Sequence, residues 1–174
     1  MNKALIVLSC SAALAVLAGC ATPATGPQAT AALMPTNGNT TSGTVHFVQL
    51  GSRVQVKGEI RGLKPNAEHG FHVHEKGDCS SGDGMSTGGH FNPGGAPHGA
   101  HGKGMHHVGD LPSLRANASG VATFSFESET IAVGSGAHNI VGKGLIVHRD
   151  ADDYTTQPTG NAGPRLACAV IQGS

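Results

Sequence analysis

The sequence predicts an all-β protein: a Greek-key antiparallel β-sandwich or barrel of about eight short strands, carrying two long functional loops. Three observations predict it. Short runs rich in Val, Ile and Phe alternate with polar residues at period two, and no amphipathic helix of useful length interrupts them. Glycine is abundant, 27 of 174 residues, which suits many turns and long shaped loops. Two stretches, Glu75 to about Asp110 and Asp150 to Pro164, lack sustained periodicity. Structureless loops of that length in a compact domain are usually functional or disordered.

The strands follow in order. Ala29 to Met34 is a short first strand, and Thr44 to Leu50 and Val54 to Ile60 are the clearest pair. In the second of these, Val54, Val56 and Ile60 fall on one face and Gln55, Lys57 and Glu59 on the other. Gly51-Ser52 between them suits a tight hairpin. Gly70 to His74 is the next strand. Leu114 to Asn117 and Val121 to Phe126 flank a turn at Asn117-Ala118-Ser119-Gly120. Gly144 to His148 and Leu166 to Ile171 complete the set. With no Trp, one Tyr and five Phe, the core must be built from Val, Ile, Leu and Ala.

The N-terminus has a different composition. Met1-Asn2-Lys3 is a basic tip, Ala4 to Ala18 is apolar, and Leu17-Ala18-Gly19-Cys20 follows. This is the pattern of a secretory signal, and the apolar part is short for a transmembrane span. The Leu-Ala-Gly-Cys ending resembles the bacterial lipoprotein signal. That resemblance implies diacylglycerol on the Cys20 sulfur, and Ala21 after it favours the inner face of the outer membrane, towards the periplasm. Residues 1–19 are then signal peptide, 20–28 the lipidated cysteine and a flexible Ala/Thr/Pro/Gly tether, and 29–174 one domain. Formal net charge is zero, and no basic stripe invites nucleic acid. Cys10 leaves with the signal and Cys20 carries lipid. Cys79 and Cys168 remain as one pair in a compartment where disulfides persist; metal ligation is the alternative, although neither has a second Cys nearby.

Chemistry concentrates in the histidines, eleven of them against eleven Lys plus Arg. His is the commonest metal ligand among side chains. In Gly70-Phe71-His72-Val73-His74, residues two apart on a strand face the same way, so His72 and His74 can grip one ion. The first long loop holds His90, His98 and His107, with Asp110 three residues on. Three imidazoles and a carboxylate make a closed tetrahedral zinc shell. His101 and His106 lie beside them, so residue type alone does not choose the ligands. His148 ends a strand far along the chain. The bland alternative is a His-rich tract that sequesters metal without defined geometry.

Gly70-Phe71-His72-Val73-His74, Gly89-His90-Phe91-Asn92-Pro93, His107-Val108-Gly109-Asp110-Leu111 and Gly160-Asn161-Ala162-Gly163-Pro164-Arg165-Leu166-Ala167-Cys168 together resemble copper–zinc superoxide dismutase, in the family's order, from about Ala29 to Gln172. The resemblance implies one copper ion held by His72, His74, His90 and His148, and one zinc ion held by His90, His98, His107 and Asp110, with His90 bridging the two. It is the zinc-loop spacing of the family that selects His98 over His101 and His107 over His106. It further implies that Asp152 accepts hydrogen bonds from His72 and His98, that Cys79 and Cys168 form a disulfide, and that Arg165 docks the superoxide anion. His69 and His138 match family histidines outside the metal shell and are read as structural. His46, His101 and His106 have no counterpart; they are surface residues or auxiliary metal-capture ligands.

The implied reaction converts two superoxide ions and two protons into oxygen and hydrogen peroxide, with a His90 nitrogen carrying a proton. The chain departs from the family in two ways. The stretch from Cys79 to His90 is longer than in the eukaryotic branch, and the loop from His148 to Cys168 is shorter, both as in the bacterial branch, where monomers and homodimers both occur. No Lys lies between His148 and Arg165, so Lys76 and Arg149 are the candidate steering cations. The competing readings are a metal buffer or copper carrier that kept the fold, and a structural lipoprotein. A zinc buffer would need neither a fourth imidazole at His148 nor Arg165.

Overall fold

A computed structural model describes residues 26–174. The expected signal peptide, Cys20 and most of the expected tether lie outside the described residues. Ten strands run in the order β1 (Gln28–Pro35), β2 (Ser42–Leu50), β3 (Arg53–Arg61), β4 (Glu68–His69), β5 (Phe71–His74), β6 (Leu114–Arg115), β7 (Ala122–Ser128), β8 (Gly144–His148), β9 (Arg165–Val170) and β10 (Gln172–Gly173). One turn of 3-10 helix, Met85–Thr87, interrupts the first long loop. Among the described residues no helix is long and apolar enough to cross a membrane.

Eight strands form one antiparallel sheet in the order β5-β8-β9-β1-β2-β3-β7, with β10 beside β1, and β4 and β6 pair separately. β1 joins the two halves. Gln28 to Leu33 pair with β2, whereas Met34 and Pro35 pair with Cys168 and Ala167 of β9. The sheet curls into a half-barrel, and Phe71 of edge strand β5 packs edge-on against Phe124 of edge strand β7, 5.5 Å between centroids. Strand β1 begins one residue before Ala29, the expected start of the domain. The Pro27 carbonyl accepts from Gln49 N at 2.9 Å, and Gln28 opens β1.

Period-two burial explains the sheet. On β3, Val54, Val56 and Ile60 are buried while Arg53, Lys57 and Arg61 are exposed; on β2, Val45 and Phe47 are buried between exposed Thr44 and His46. Gly51, at φ 61°, takes the first central position of the β2–β3 hairpin, whose register pairs Leu50 with Arg53. β5 and β8 differ: every residue in both is buried. Their inner faces meet the core through Phe71, Val73, Leu145 and Val147. Their outer faces lie beneath the long loops.

The first long loop docks on the free edge of β5 by backbone hydrogen bonds. Val73 N donates to Gly109 O (2.9 Å), Phe91 N to Val73 O (2.8 Å), Gly109 N to Phe91 O (2.8 Å) and Leu111 N to Phe71 O (3.3 Å). These contacts set His90 opposite His74 and Asp110 opposite His72. A second tie is the disulfide between Cys79 and Cys168, 89 residues apart, which fastens the loop start to β9. Closing a loop of that length contributes roughly 4–5 kcal/mol in the chain-entropy account.

Gly109 has no room for a side chain, since a Cβ there would collide with the Val73 carbonyl oxygen. Gly109→Ala is expected to destabilise the metal-free protein by about 2–3 kcal/mol in urea unfolding. Gly94→Ala, where a Cβ meets nothing within 4 Å, should change it by less than about 0.5 kcal/mol. Equal effects of the two would refute the close-approach account.

Candidate metal centre

Side-chain alternation supplies the first imidazoles. Phe71 and Val73 point into the core, so His72 and His74 share the outer face of β5. On β8, Leu145 and Val147 point inward, which leaves Ile146 and His148 outward. A bulge in β9 completes the face. Val147 pairs with Ala167 and His148 with Arg165, so Leu166 is the additional residue. Ala167 lies in the core, and unbroken alternation would send Arg165 there too. The bulge turns Arg165 to the His148 side.

Each ring on the first side is oriented through one nitrogen. His72 Nε2–H donates to Asp152 Oδ2 (2.7 Å), His74 Nδ1–H to the Gly88 carbonyl (2.9 Å) and His148 Nδ1–H to the Gly163 carbonyl (3.0 Å). Carbonyls and carboxylates only accept, so these bonds fix which nitrogen carries the proton. The opposite nitrogens, His72 Nδ1, His74 Nε2 and His148 Nε2, are buried without a partner, as is His90 Nε2. The ligand atoms of the four residues all lie within 4.8 Å of one another. Burial, reinforced by the neighbouring imidazoles and Arg165, pushes His74 and His148 well below the ordinary histidine pKa. Burial also lowers His90 to about 4, against the pull of Asp110. These three rings are therefore neutral at pH 7, with lone pairs available. Four bare imidazole nitrogens at one point fit a copper ion.

The second cluster joins His90, His98, His107 and Asp110, all buried. His90 Nδ1 lies 2.8 Å from Asp110 Oδ1, His107 Nδ1 3.3 Å from the same oxygen, and the two Nδ1 atoms 3.3 Å apart. His98 Nδ1 lies 3.0 Å from Asp110 Oδ2, off the line of a hydrogen bond. A tetrahedron with zinc–nitrogen bonds of about 2.0–2.1 Å has edges of about 3.3 Å, so these separations fit zinc. Burial would raise the Asp110 carboxyl, but the adjoining His107, His90 and His98 side chains and the Gly99 N–H outweigh it and hold the group well below the usual carboxylate range. Burial would lower His98, but the adjoining Asp110 and Asp152 carboxylates prevail and raise it to about 9. Metal-free His98 thus carries a proton that zinc must displace.

Asp152 connects the clusters. Its Oδ2 accepts from His72 and its Oδ1 from His98 Nε2 (2.9 Å) and Tyr154 N (2.7 Å). Hydrogen bonds from both histidines hold its carboxyl low despite burial. Gly160, at φ 62°, sits against this bridge; a Cβ there would collide with Asp152 Oδ1 and His98 Nε2.

Arg165 is half-buried and fixed. Nη1 donates to the Gly84 carbonyl (2.6 Å) and Thr87 Oγ1 (2.7 Å), and Nη2 to the Gly88 carbonyl (2.8 Å). Two of its five N–H groups remain uncommitted. A cavity of about 270 Å³ opens beside it, lined by Met85, His148, Thr159 and Pro164. A larger open groove, about 810 Å³, lies on the solvent face of β2, β3 and β7, away from both clusters.

A family model for copper/zinc superoxide dismutase matches residues 41–171. The chain belongs to the copper/zinc superoxide dismutase family. The superoxide dismutase [Cu-Zn] of Paramecium bursaria Chlorella virus 1 is 45% identical over 135 residues, covering 74% of this chain and 71% of the relative. The solved structure of the clock protein EA4 aligns with a TM-score of 0.77 at 41% identity, covering 85% of this chain and 95% of that one. The chain is accordingly a copper- and zinc-dependent superoxide dismutase, and both clusters fit the metals of its family.

The structure brings together all seven residues expected at the two metals, along with Asp152 and Arg165. Of the other histidines, His69 is buried and donates Nδ1–H to the His148 carbonyl at 2.9 Å, bracing that strand end. His46 and His138 are exposed. His101 and His106 are half-buried and hydrogen-bonded rather than free on the surface. The candidate steering cations are both paired: Arg149 holds Asp150 at 2.9 Å, and Lys76 lies 4.0 Å from Glu75. Sequence reasoning missed the Gly84 and Gly88 carbonyls, Thr87, and the mouth residues Met85 and Thr159. A backbone carbonyl leaves no mark in residue identity.

His148→Ala removes a bare nitrogen from the first cluster only. The reconstituted variant is expected to keep zinc near wild-type stoichiometry and lose most of its copper by elemental analysis. His90→Ala should lower both. Parallel loss of both metals in His148→Ala would contradict separate subsites.

Proposed function

We propose that this dismutase acts in a bacterial cell envelope, as a periplasmic lipoprotein, and protects that compartment from superoxide. His72, His74, His90 and His148 hold copper in this reading, and His90, His98, His107 and Asp110 hold zinc. The observation that carries the site assignment is the set of four buried, unpartnered imidazole nitrogens beside a fixed guanidinium. Copper supplies the one-electron oxidation of one superoxide and the one-electron reduction of the next, which zinc lacks the redox states to do.

The chain's own groups supply the rest. Arg165 docks the anion at the mouth through its uncommitted N–H donors, held in place by three hydrogen bonds on its other side. His90 faces both clusters, with Nδ1 at Asp110 and Nε2 at the other three imidazoles. Its Nε2 takes up a proton in one half of the cycle and gives it to the outgoing peroxide in the other. A second proton comes from water at the mouth. Two superoxide ions and two protons thus leave as oxygen and hydrogen peroxide. Asp152 keeps His72 and His98 oriented. Of the residues that line the cavity at the mouth, Arg165 carries the fixed positive charge.

The envelope assignment is supported by the basic tip, apolar run and Leu17-Ala18-Gly19-Cys20 ending, and by a disulfide suited to an oxidising compartment. Lipid on Cys20, with Ala21 following, would hold the enzyme on the inner face of the outer membrane. A homodimer is compatible with this reading.

Stopped-flow superoxide decay tests the site. Arg165→Ala is expected to lower kcat/KM about tenfold to a hundredfold with copper content unchanged. An unchanged rate would remove Arg165 from the mechanism. Expression of the full chain in a bacterium tests the anchor. Wild type should fractionate with membranes and carry an acyl mass increment, and Cys20→Ser should be soluble; a soluble, unmodified wild type would overturn the lipoprotein reading.

A further inference from the structure

We infer that His101, His106 and Gln157 are positioning residues that clamp the backbone of the three zinc ligands not shared with copper. The inference rests on zinc being held by His98, His107 and Asp110. Those ligands lie on a segment without regular strand pairing, and Gly99, Gly102, Gly104 and Gly109 break it up. A backbone so rich in glycine loses much conformational freedom when it is ordered. Only its end, from Gly109 to Leu111, docks on β5, so other contacts must hold the rest.

One side chain meets the peptide group of each ligand. Gln157, from the second long loop, grips His98 twice: its Oε1 accepts from His98 N at 2.8 Å and its Nε2 donates to His98 O at 3.0 Å. His106 Nδ1–H donates to His107 O at 2.7 Å, and its Nε2 accepts from Gly102 N at 3.3 Å, which closes the glycine turn on itself. His101 Nδ1–H donates to Asp110 O at 2.9 Å. The His101 ring packs between His106, 5.4 Å away, and Phe126 of β7, 6.0 Å away. The loop is thereby tied to the sheet on the side away from β5.

These bonds give His101 and His106 a structural employment that neither reading from sequence anticipated. Both nitrogens of His106 and Nδ1 of His101 are already committed. Asp152 acts on the ligand rings, whereas these three act on the ligand backbones. Outer partners of metal ligands commonly contribute tenfold to a hundredfold in metal affinity.

The test is zinc release from the copper- and zinc-loaded protein into a chromogenic chelator, with copper retention and the urea midpoint measured alongside. His101→Leu, His106→Leu and Gln157→Leu should each release zinc about tenfold faster, with copper retention within about twofold of wild type. His101→Asn and His106→Asn place an amide N–H near the lost Nδ1–H and should recover most of the zinc retention. Cobalt(II) substituted for zinc provides a second readout. Its visible absorption should broaden in the Leu variants and return towards wild type in the Asn variants. Zinc release unchanged in the Leu variants, Asn variants no better than Leu, or equal loss of copper and zinc with a lowered urea midpoint would each overturn the inference. His98→Ala that keeps full zinc stoichiometry would instead overturn the zinc assignment on which it rests.

Discussion

Leaving a buried polar nitrogen without a partner costs about 1–3 kcal/mol, and this fold does so at His72, His74, His90 and His148 within one cluster. The surrounding structure exists to keep those lone pairs bare and converging. Each ring is turned by a hydrogen bond that it donates on its far side, to Asp152, Gly88 or Gly163, or by the second cluster in the case of His90. A metal ion is the partner that makes the arrangement favourable, so coordination and folding are linked.

The Gly88 carbonyl shows how tightly the parts are shared. It accepts from His74, which orients a ring of the first cluster, and from Arg165, the proposed dock for the anion. Gly88 ends the segment that starts at Cys79, and that segment is fastened to β9 by the disulfide. The Arg165 guanidinium and the His74 ring therefore share one peptide group and one covalent tie. A change in the Cys79 to Gly88 segment reaches both at once.

Local pattern and non-local packing account for what the sequence did and did not disclose. β2, β3 and β7 were legible because half-buried strands must alternate, and Val54, Val56 and Ile60 do so; β8, buried on both faces, showed only as a short apolar run. The two-residue strands β4 and β10 are too short to carry a period. The docking of Phe91, Gly109 and Leu111 on β5 joins residues far apart along the chain, and no window contains it. His72 and His74 were legible as a pair from strand geometry. The choice of His98 and His107 over His101 and His106 required the spacing of a known family, because all four are histidines in one glycine-rich loop. Gln157 carried no signal, since its role lies in two bonds to the backbone of His98. The bulge at Leu166 that turns Arg165 outward is likewise invisible to a count of alternating residues.

The docked loop also changes what β5 is. As the last strand of its half of the sheet, β5 has N–H and C=O groups along its outer side, and the loop satisfies them at Phe71 and Val73. Loss of zinc and reduction of the disulfide remove two of the strongest ties on the loop and leave it to its hydrogen bonds and to the packing of Phe91, Val108 and Leu111. Once it lifts, β5 becomes an open edge lined by Phe71 and Val73, a template on which a strand from another molecule can pair. The same contacts that assemble the metal centre thus also guard against self-association, and demetallation of this enzyme carries a risk of aggregation as well as a loss of activity.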